Sequence, residues 1–403
     1  MRIGATSLRK ARSERTGRVL VTGATGFLGS HIAVALLRAG RRVAVLARSS
    51  KALSARDRIG RLARWFGLDP AAAGAIEIVE GDLLDPGWAR EAAADPAGAG
   101  RFDEIVHCAS NTAFAERKRA EVEAANIGGL GTILDLAVRG GCVFFHHVST
   151  AYAAGRRAGL CLEDWVESGP FTNVYEETKA HGEIMVRDVC RREGIRLNVY
   201  RPTVVYGDST TGRTLRFNAL YFPVKAALSI RDIYLNDLRR GKGQKAAEVG
   251  IHLTKDGRLF LPLRIETRPG AGINLVPIDH CVSAFLAILE EGLEGGIYHI
   301  ANPKPVRVGD LVAFGKRHFG LEGLRACGPE AFATEPRNTL ELLYDSYLEV
   351  FKPYMQDLRT FDMSNAAPIL EKRGLACPVF DYDMFARCMD FAVGAGWGSR
   401  LFD

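Results

Sequence analysis

Tyr175 and Lys179 stand four residues apart in the segment NVYEETKAHGE, and Thr150 precedes them at the end of an apolar run. A helix through this segment puts the phenol and the ammonium on one face. A phenol is a feeble acid near pH 7, with a reference pKa of about 10. A neighbouring ammonium favours the phenolate and lowers that value, so the tyrosine can donate and accept a proton. A hydroxyl from Thr150 would hold a substrate oxygen and share the charge that develops on it. Taken alone, Tyr175 and Lys179 also fit an ordinary surface pair at helical spacing. What raises them above that is the segment far upstream.

Residues 19–29 read VLVTGATGFLG. Val19, Leu20 and Val21 make a short buried strand. Gly23, Gly26 and Gly29 follow three apart, where the chain turns sharply and something can approach its backbone. An apolar-periodic helix continues through Ile32, Leu36 and Leu37, and Gly40 is its stop signal. A second strand over 42–46 completes a unit of the size that binds dinucleotides. Free N–H groups at the helix start would face a pyrophosphate. The end of that second strand indicates the cofactor's phosphate. An NAD site places an acidic residue there for the ribose 2′-hydroxyl, whereas Arg48 and Ser49 offer a cation and a hydroxyl suited to a 2′-phosphate. A solvated surface arginine is the alternative reading of Arg48.

Strands and helices then alternate. Strands are expected over 76–79, 104–107, 142–148 and 197–200, with helices near 51–66, 117–139 and 174–193. Such alternation predicts an α/β fold: a doubly wound parallel Rossmann sheet whose ligand crevice lies beyond the carboxyl ends of the strands. The polar clusters Gly81-Asp82-Leu83, Cys108-Ala109-Ser110, Ser149-Thr150 and Arg201-Pro202 all fall at those ends. After Gly207 the texture changes. Residues 211–271 read as basic and irregular, with Phe217, Tyr221 and Phe222 and the patch 241–245. Regular order returns with a strand over 273–277, a helix over 279–291 and a strand over 297–300. The last hundred residues are helical in pattern. The expected organisation is a basic tail (1–17), a sheet domain (18–210 and 272–304), and a discontinuous, mostly helical substrate-binding region (211–271 and 305–403).

The 403 residues are 47% hydrophobic and 25% charged, as in ordinary globular proteins. Of the net charge of +6, +4 sits in residues 1–17. That stretch has no apolar core, so it reads as a disordered tail and not a secretory signal. Basic and aromatic residues do not interleave as on a nucleic-acid surface. No apolar run is long enough to span a membrane. Eight cysteines without CxxC spacing fit the reduced thiols of a cytoplasmic protein better than a disulfide framework or a zinc site. His107, His146 and His147 lie in or beside buried strands without ligands at matching spacing, so no metal is expected.

The motifs TGATGFLG, GDLLD, HVSTAYAAG, YEETK and RPTVVYG occur in one order over residues 18–304, and in this the chain resembles an extended short-chain dehydrogenase/reductase. The resemblance implies that Thr150, Tyr175 and Lys179 are catalytic. Thr150 is preferred over Ser149 because the hydroxyl residue directly before the small Ala151 matches the family's position. It implies a cofactor site of Gly23, Thr25, Gly26, Phe27, Leu28 and Gly29, with Arg48 and Ser49 beyond them. Asp82 and Leu83 would flank the adenine, Cys108, Ala109 and Ser110 would line the cofactor, and Pro202, Thr203 and Val204 the nicotinamide. Lys179 would also hold the nicotinamide ribose. Asn126 matches a family asparagine, and a helix-stabilising amide is an equally good reading of it.

Two further stretches, NLVPIDHCVSA and GGIYHIANP, look like the thioester reductase and fatty acyl-CoA reductase branch. Its members reduce a carboxyl held as a thioester on coenzyme A or an acyl carrier protein, to an aldehyde and sometimes an alcohol. The implied protein is an NADPH-dependent reductase that acts in trans on such a thioester and needs no cysteine nucleophile. Cys108 therefore reads as a small packing residue. The patch 242–245 fits either a clamp on coenzyme A phosphates or a mobile charged loop. The aromatic series Tyr344, Tyr347, Phe351 and Tyr354 fits either an acyl site or a helix core. Competing functions are an alcohol or ketone dehydrogenase, a sugar-nucleotide epimerase or dehydratase, and a non-catalytic NADP(H)-binding protein.

Overall fold

A computed structural model describes residues 17–95, 98 and 100–402. The expected tail at 1–17 therefore lies, except for Gly17, outside the described residues. The central element is a seven-stranded parallel sheet of β1 (Arg18–Thr22), β2 (Arg42–Ala47), β3 (Glu77–Glu80), β4 (Glu104–His107), β5 (Phe144–Val148), β6 (Arg196–Pro202) and β7 (Gly296–Ile300). Its order is β7-β6-β5-β4-β1-β2-β3, so the chain reverses its direction of travel between β1 and β4. Val21 pairs with Val106, and Thr22 with His107, across that reversal. A ligand crevice opens at such a switch point because the loops after the two strands depart to opposite faces.

Strand alternation assigns the two faces of the sheet. Val19, Val21, Val43 and Val45 join one core with Ile32 and Leu36 of α1 (Phe27–Arg38). Leu20, Ala44 and Leu46 join the other. Four helices flank the sheet around the switch point, two on each face. These are α1, α2 (Ala55–Trp65), α3 (Gly129–Arg139) and α4 (Val174–Glu193). Helix α4 starts where the side chain of Asn173 accepts the Glu176 N–H at 3.0 Å, and it stops at Gly194 in the left-handed region at φ +69°. Its bounds match the sequence expectation. The helix expected over 117–139 is instead broken, with a π-helical turn over Ala124–Gly128 that carries Asn126.

Residues 211–271 are not irregular, as their composition had suggested. They hold α5 (Tyr221–Arg240), twenty residues long. Its buried positions are Tyr221, Ala226, Ala227, Leu228 and Ile230, and the small alanines give a weak hydrophobic signal. Pro223 lies in the first turn, where a missing N–H costs nothing. Beyond it, α6 (Ile278–Glu291) covers the first face of the sheet. The remainder contains α7 (Val308–Phe319), α8 (Thr339–Leu348), α9 (Lys352–Met355) and α10 (Tyr382–Gly394). Helices α5, α7 and α8 share a separate core around Leu228, Leu261, Val308 and Tyr344. The segment after α9 returns to the sheet, where Ala366 and Leu370 pack into the first core.

Candidate active site

A crevice of about 520 Å³ lies at the switch point. Its wall contains the glycine loop, then Cys108 and Ser110 after β4, Ser149 and Thr150 after β5, Tyr175 and Lys179 on α4, and Pro202 to Val205 at the end of β6. The structure therefore brings together Gly23, Gly26, Phe27, Leu28, Gly29, Cys108, Ser110, Pro202, Thr203 and Val204 with Thr150, Tyr175 and Lys179. These positions are spread over more than 180 residues of sequence, and one sheet edge collects them.

The glycine loop fits a dinucleotide. Gly23 has φ +71°, and a Cβ there would lie 2.6 Å from the Ala109 nitrogen. A Cβ on Gly29 would collide with the Gly23 carbonyl. Gly26 caps α1 without any side-chain hydrogen bond, so no side chain claims the N–H groups of the first turn. Those groups and the helix dipole suit a pyrophosphate.

The hydroxyls of Thr150 and Tyr175 face the same part of the crevice, and Thr150 Oγ1 also lies 3.5 Å from the Pro202 carbonyl, to which it donates. Lys179 is buried, and its Nζ donates to the Val148 carbonyl at 2.7 Å. The expected lowering of the phenol's pKa is not found. Burial pushes Tyr175 above its usual value, opposed only by the Thr150 hydroxyl, because the ammonium is aimed at a backbone carbonyl. Burial acts on Lys179 in the opposite sense and brings its pKa down to about 8. The Cys108 thiol is pushed up to about 12 by burial, so it is a neutral packing group at pH 7.

Three further candidates lie off the crevice wall. Asn126 does not reach the crevice. Its Oδ1 accepts from Ser110 Oγ at 3.0 Å and Asn111 N at 2.7 Å, and its Nδ2 donates to Asn111 O and Thr178 Oγ1. With its amide fully paired, it braces the loop after β4 against α4. Leu83 packs into the second core, not along the crevice. Lys242 and Lys245 are absent from the crevice wall, whereas Arg216 is on it.

At the far end of β2 the geometry is denser than the sequence suggested. Arg48 pairs with Asp82 at 2.7 Å, and both side chains are exposed. Ser49 donates to Glu80 and accepts the Ala55 N–H at 3.1 Å. Arg58 of α2 donates to the Arg48 carbonyl at 2.6 Å and to the hydroxyl of Thr25 at 3.0 Å. Sequence reasoning missed Arg58, since α2 carries Arg56, Arg58, Arg61 and Arg64 and nothing local distinguishes one from another. It also set Ser149 aside. That hydroxyl is buried without a hydrogen-bond partner and lines the crevice. A buried orphan polar atom calls for a partner from a ligand or water.

The opposite wall is aromatic. Phe114, Phe222, Phe351 and Tyr354 line it. The Phe114 ring lies 5.7 Å from that of Tyr175, 5.7 Å from Phe351 and 5.4 Å from Tyr354. The aromatic series of the C-terminal region is thus divided. Tyr344 is core, Tyr347 is exposed, and Phe351 and Tyr354 face the crevice.

A parallel sheet in this order, with a glycine loop at its switch point, is that of an NAD(P)-binding oxidoreductase of the extended short-chain dehydrogenase/reductase type. The family described as male sterility protein matches residues 21–285, and the chain belongs to it. The L-2-aminoadipate reductase large subunit of Penicillium chrysogenum is 28% identical over 232 residues, which are 53% of this chain and 16% of that one. The UDP-glucose 4-epimerase of Mus musculus is 27% identical over 178 residues, 44% of this chain and 50% of its own. The chain therefore spans no more than half the length of either relative. Among solved structures, the terminal R domain from the myxalamid PKS-NRPS biosynthetic pathway superposes with a TM-score of 0.71 at 21% identity, covering 97% of this chain and 98% of that one. A thiolation-reductase di-domain from an archaeal non-ribosomal peptide synthetase gives 0.67 at 16% identity, covering 98% of each chain. At these identities the likeness is one of fold.

Proposed function

We propose that this protein reduces acyl thioesters borne by coenzyme A or an acyl carrier protein, with NADPH as cofactor, to an aldehyde or alcohol. The observation that carries this reading is the aromatic wall. From Tyr175 the crevice runs along Phe114, Phe222, Phe351 and Tyr354, which suits an acyl chain and offers few polar partners to a sugar. Arg216, on the same wall, has no ion-pair or hydrogen-bond partner for its guanidinium among the described residues. It suits the phosphate that coenzyme A and a phosphopantetheine arm both carry. Residues 211–271 and 305–403 act in this scheme as the substrate-binding region over a sheet domain of 18–210 and 272–304.

When bound, NADPH supplies the hydride. Thr150 and Tyr175 face the same part of the crevice and would share one substrate oxygen. A phenol kept protonated by burial is a donor, which is the role reduction requires. Lys179 would hold the nicotinamide ribose, and Pro202, Thr203 and Val204 its ring. The orphan hydroxyl of Ser149 is placed to pair with the cofactor's amide or the substrate. Arg58, with Arg48, would clamp a 2′-phosphate, for which Arg48 must leave Asp82. The eight unpaired cysteines fit a reducing cytoplasmic setting.

The test is an assay of purified protein in two arms: NADPH oxidation with acyl-coenzyme A thioesters, aldehydes and ketones, and chromatographic product analysis with nucleotide sugars, whose epimerisation or dehydration consumes no NADPH. Turnover of thioesters with NADPH preferred over NADH is the expected result. Turnover of a nucleotide sugar alone, with no thioester reduced, would overturn it in favour of epimerase or dehydratase chemistry.

A further inference from the structure

A second cavity, of about 70 Å³, lies in the core formed by α5, α7 and α8. Its wall is almost wholly apolar. The hydroxyl of Tyr344, a polar group on that wall, donates to the Pro223 carbonyl at 3.4 Å. Ala219, Pro223, Ile273 and Met355 belong both to its wall and to that of the crevice. The two spaces are therefore separated by a partition one side chain thick.

Two features of the partition set it apart from ordinary core. Ala219 is held at φ +45°, a left-handed conformation that costs a residue with a Cβ and persists where the surroundings impose it. Met355 is buried, and its unbranched thioether side chain has the rotamers to swing aside. On the far side of the cavity, α7 presents Val308, Leu311, Val312, Gly315 and Phe319. That spacing is one helical face, and Gly315 sits in its middle. A Cβ built on Gly315 would meet nothing within 4 Å. The face thus has a hole where a side chain would fit.

We propose that this cavity is the end chamber of the acyl site, that Met355 is the movable partition, and that the vacancy at Gly315 admits the terminal methylenes of a long linear chain. The inference rests on the thioester reading above and assigns the residues that would set chain length. A cavity of about 150 Å³ holds benzene, so this one holds about three carbons once Met355 has moved. Each methylene enclosed is worth about fourfold in binding.

The experiment is a chain-length series of butanoyl-, octanoyl-, dodecanoyl- and hexadecanoyl-coenzyme A, read as kcat/KM. In parallel, the matching non-reducible S-alkyl-coenzyme A thioethers are read as Kd by calorimetry. Gly315→Leu should fill the chamber and lower kcat/KM for the longest substrate taken by the native protein at least tenfold. Its effect on butanoyl-coenzyme A should stay within about threefold. Met355→Ala should move the preference to longer chains. Gly315→Ala, which suits the helix and barely fills the hole, controls for the backbone. A native protein that reduces thioesters with no dependence on tail length, or a Gly315→Leu variant that lowers all lengths alike, overturns the chamber and leaves the proposed reaction standing. If no thioester is reduced but thioether affinity rises with tail length and Gly315→Leu abolishes that rise, the chamber stands and the proposed reaction falls.

Discussion

The sheet side of the crevice and the side covering it are built by different rules. On the sheet side, residues in and just behind the wall are held by directional bonds or close backbone approaches. Lys179 is fixed by the Val148 carbonyl, Asn126 by four hydrogen bonds, and Gly23 by its contact with the loop after β4. On the covering side the wall is made of Phe222, Phe351, Met355 and their neighbours, held mainly by packing. Directional chemistry tolerates few residue types at each position, whereas apolar packing tolerates many. One side is therefore suited to fixed chemistry, and the other to a changeable substrate.

That contrast is sharpest at Tyr175. Tyr175→Phe removes one hydroxyl and leaves the ring against Phe114. Turnover should fall by about 10²–10⁴-fold, the usual worth of general acid–base catalysis. Cofactor affinity, measured by fluorescence titration, should hardly change. A variant that kept most of its activity would show that the sheet side is not where the proton moves.

The next largest effect belongs to the cofactor's far end. Arg58→Ala should weaken NADPH by about 10–100-fold and NADH little, as a charge-assisted contact contributes about 1.5–3 kcal/mol. Arg48→Ala should act in the same direction and less strongly, because Arg48 must first give up Asp82. Equal affinities of the native protein for the two cofactors would remove the phosphate clamp from the sheet side.

The same contrast explains what the sequence could reveal. The glycine loop, the four-residue spacing of Tyr175 and Lys179, and the bounds of α4 were legible because each is local and dictated by the types of a few residues. Arg58 was not, since it is one of four arginines on α2 and only the fold shows which one meets Thr25. Nor was α5, whose apolar face is made partly of alanines. The electrostatics of Tyr175 were misjudged for a related reason. Spacing puts Lys179 on the same helix face but does not say that its ammonium points to Val148, or that burial outweighs it.

Lys179 supplies a smaller, pH-dependent test. Burial disfavours its charged form and brings its pKa to about 8, so the ammonium is present below that pH and is lost above it. If the charged form holds the cofactor ribose, kcat/KM should decline above about pH 8, by up to tenfold per unit. Lys179→Arg keeps the charge at all working pH values and should flatten that limb, whatever it does to the maximum. An alkaline limb that persists unchanged in Lys179→Arg would assign the titration to another group.

The smallest effect tests whether the two sides are as separate as their construction implies. Tyr354, on α9, donates its hydroxyl to Glu176 Oε1 at 2.8 Å and accepts from Asn173 Nδ2 at 2.7 Å. Asn173 caps α4, and Glu176 adjoins Tyr175 in that helix. Glu176 is fully buried and also accepts the Thr172 N–H at 2.9 Å, while Arg359 lies 3.7 Å away. One phenol of the covering region thus hydrogen-bonds to the first turn of the helix that aims Tyr175. Tyr354→Phe keeps the ring on the aromatic wall and removes only that tie. A buried hydrogen bond is worth about 1 kcal/mol, so kcat should fall about fivefold. Cofactor affinity should stay unchanged, since the glycine loop and Lys179 do not depend on this contact. A fall in kcat without a change in cofactor affinity would mean that the packed region helps to position the directional one. If Tyr354→Phe matched the native protein in kcat and in thermal midpoint, the covering side would select the substrate and do nothing for the chemistry beneath it.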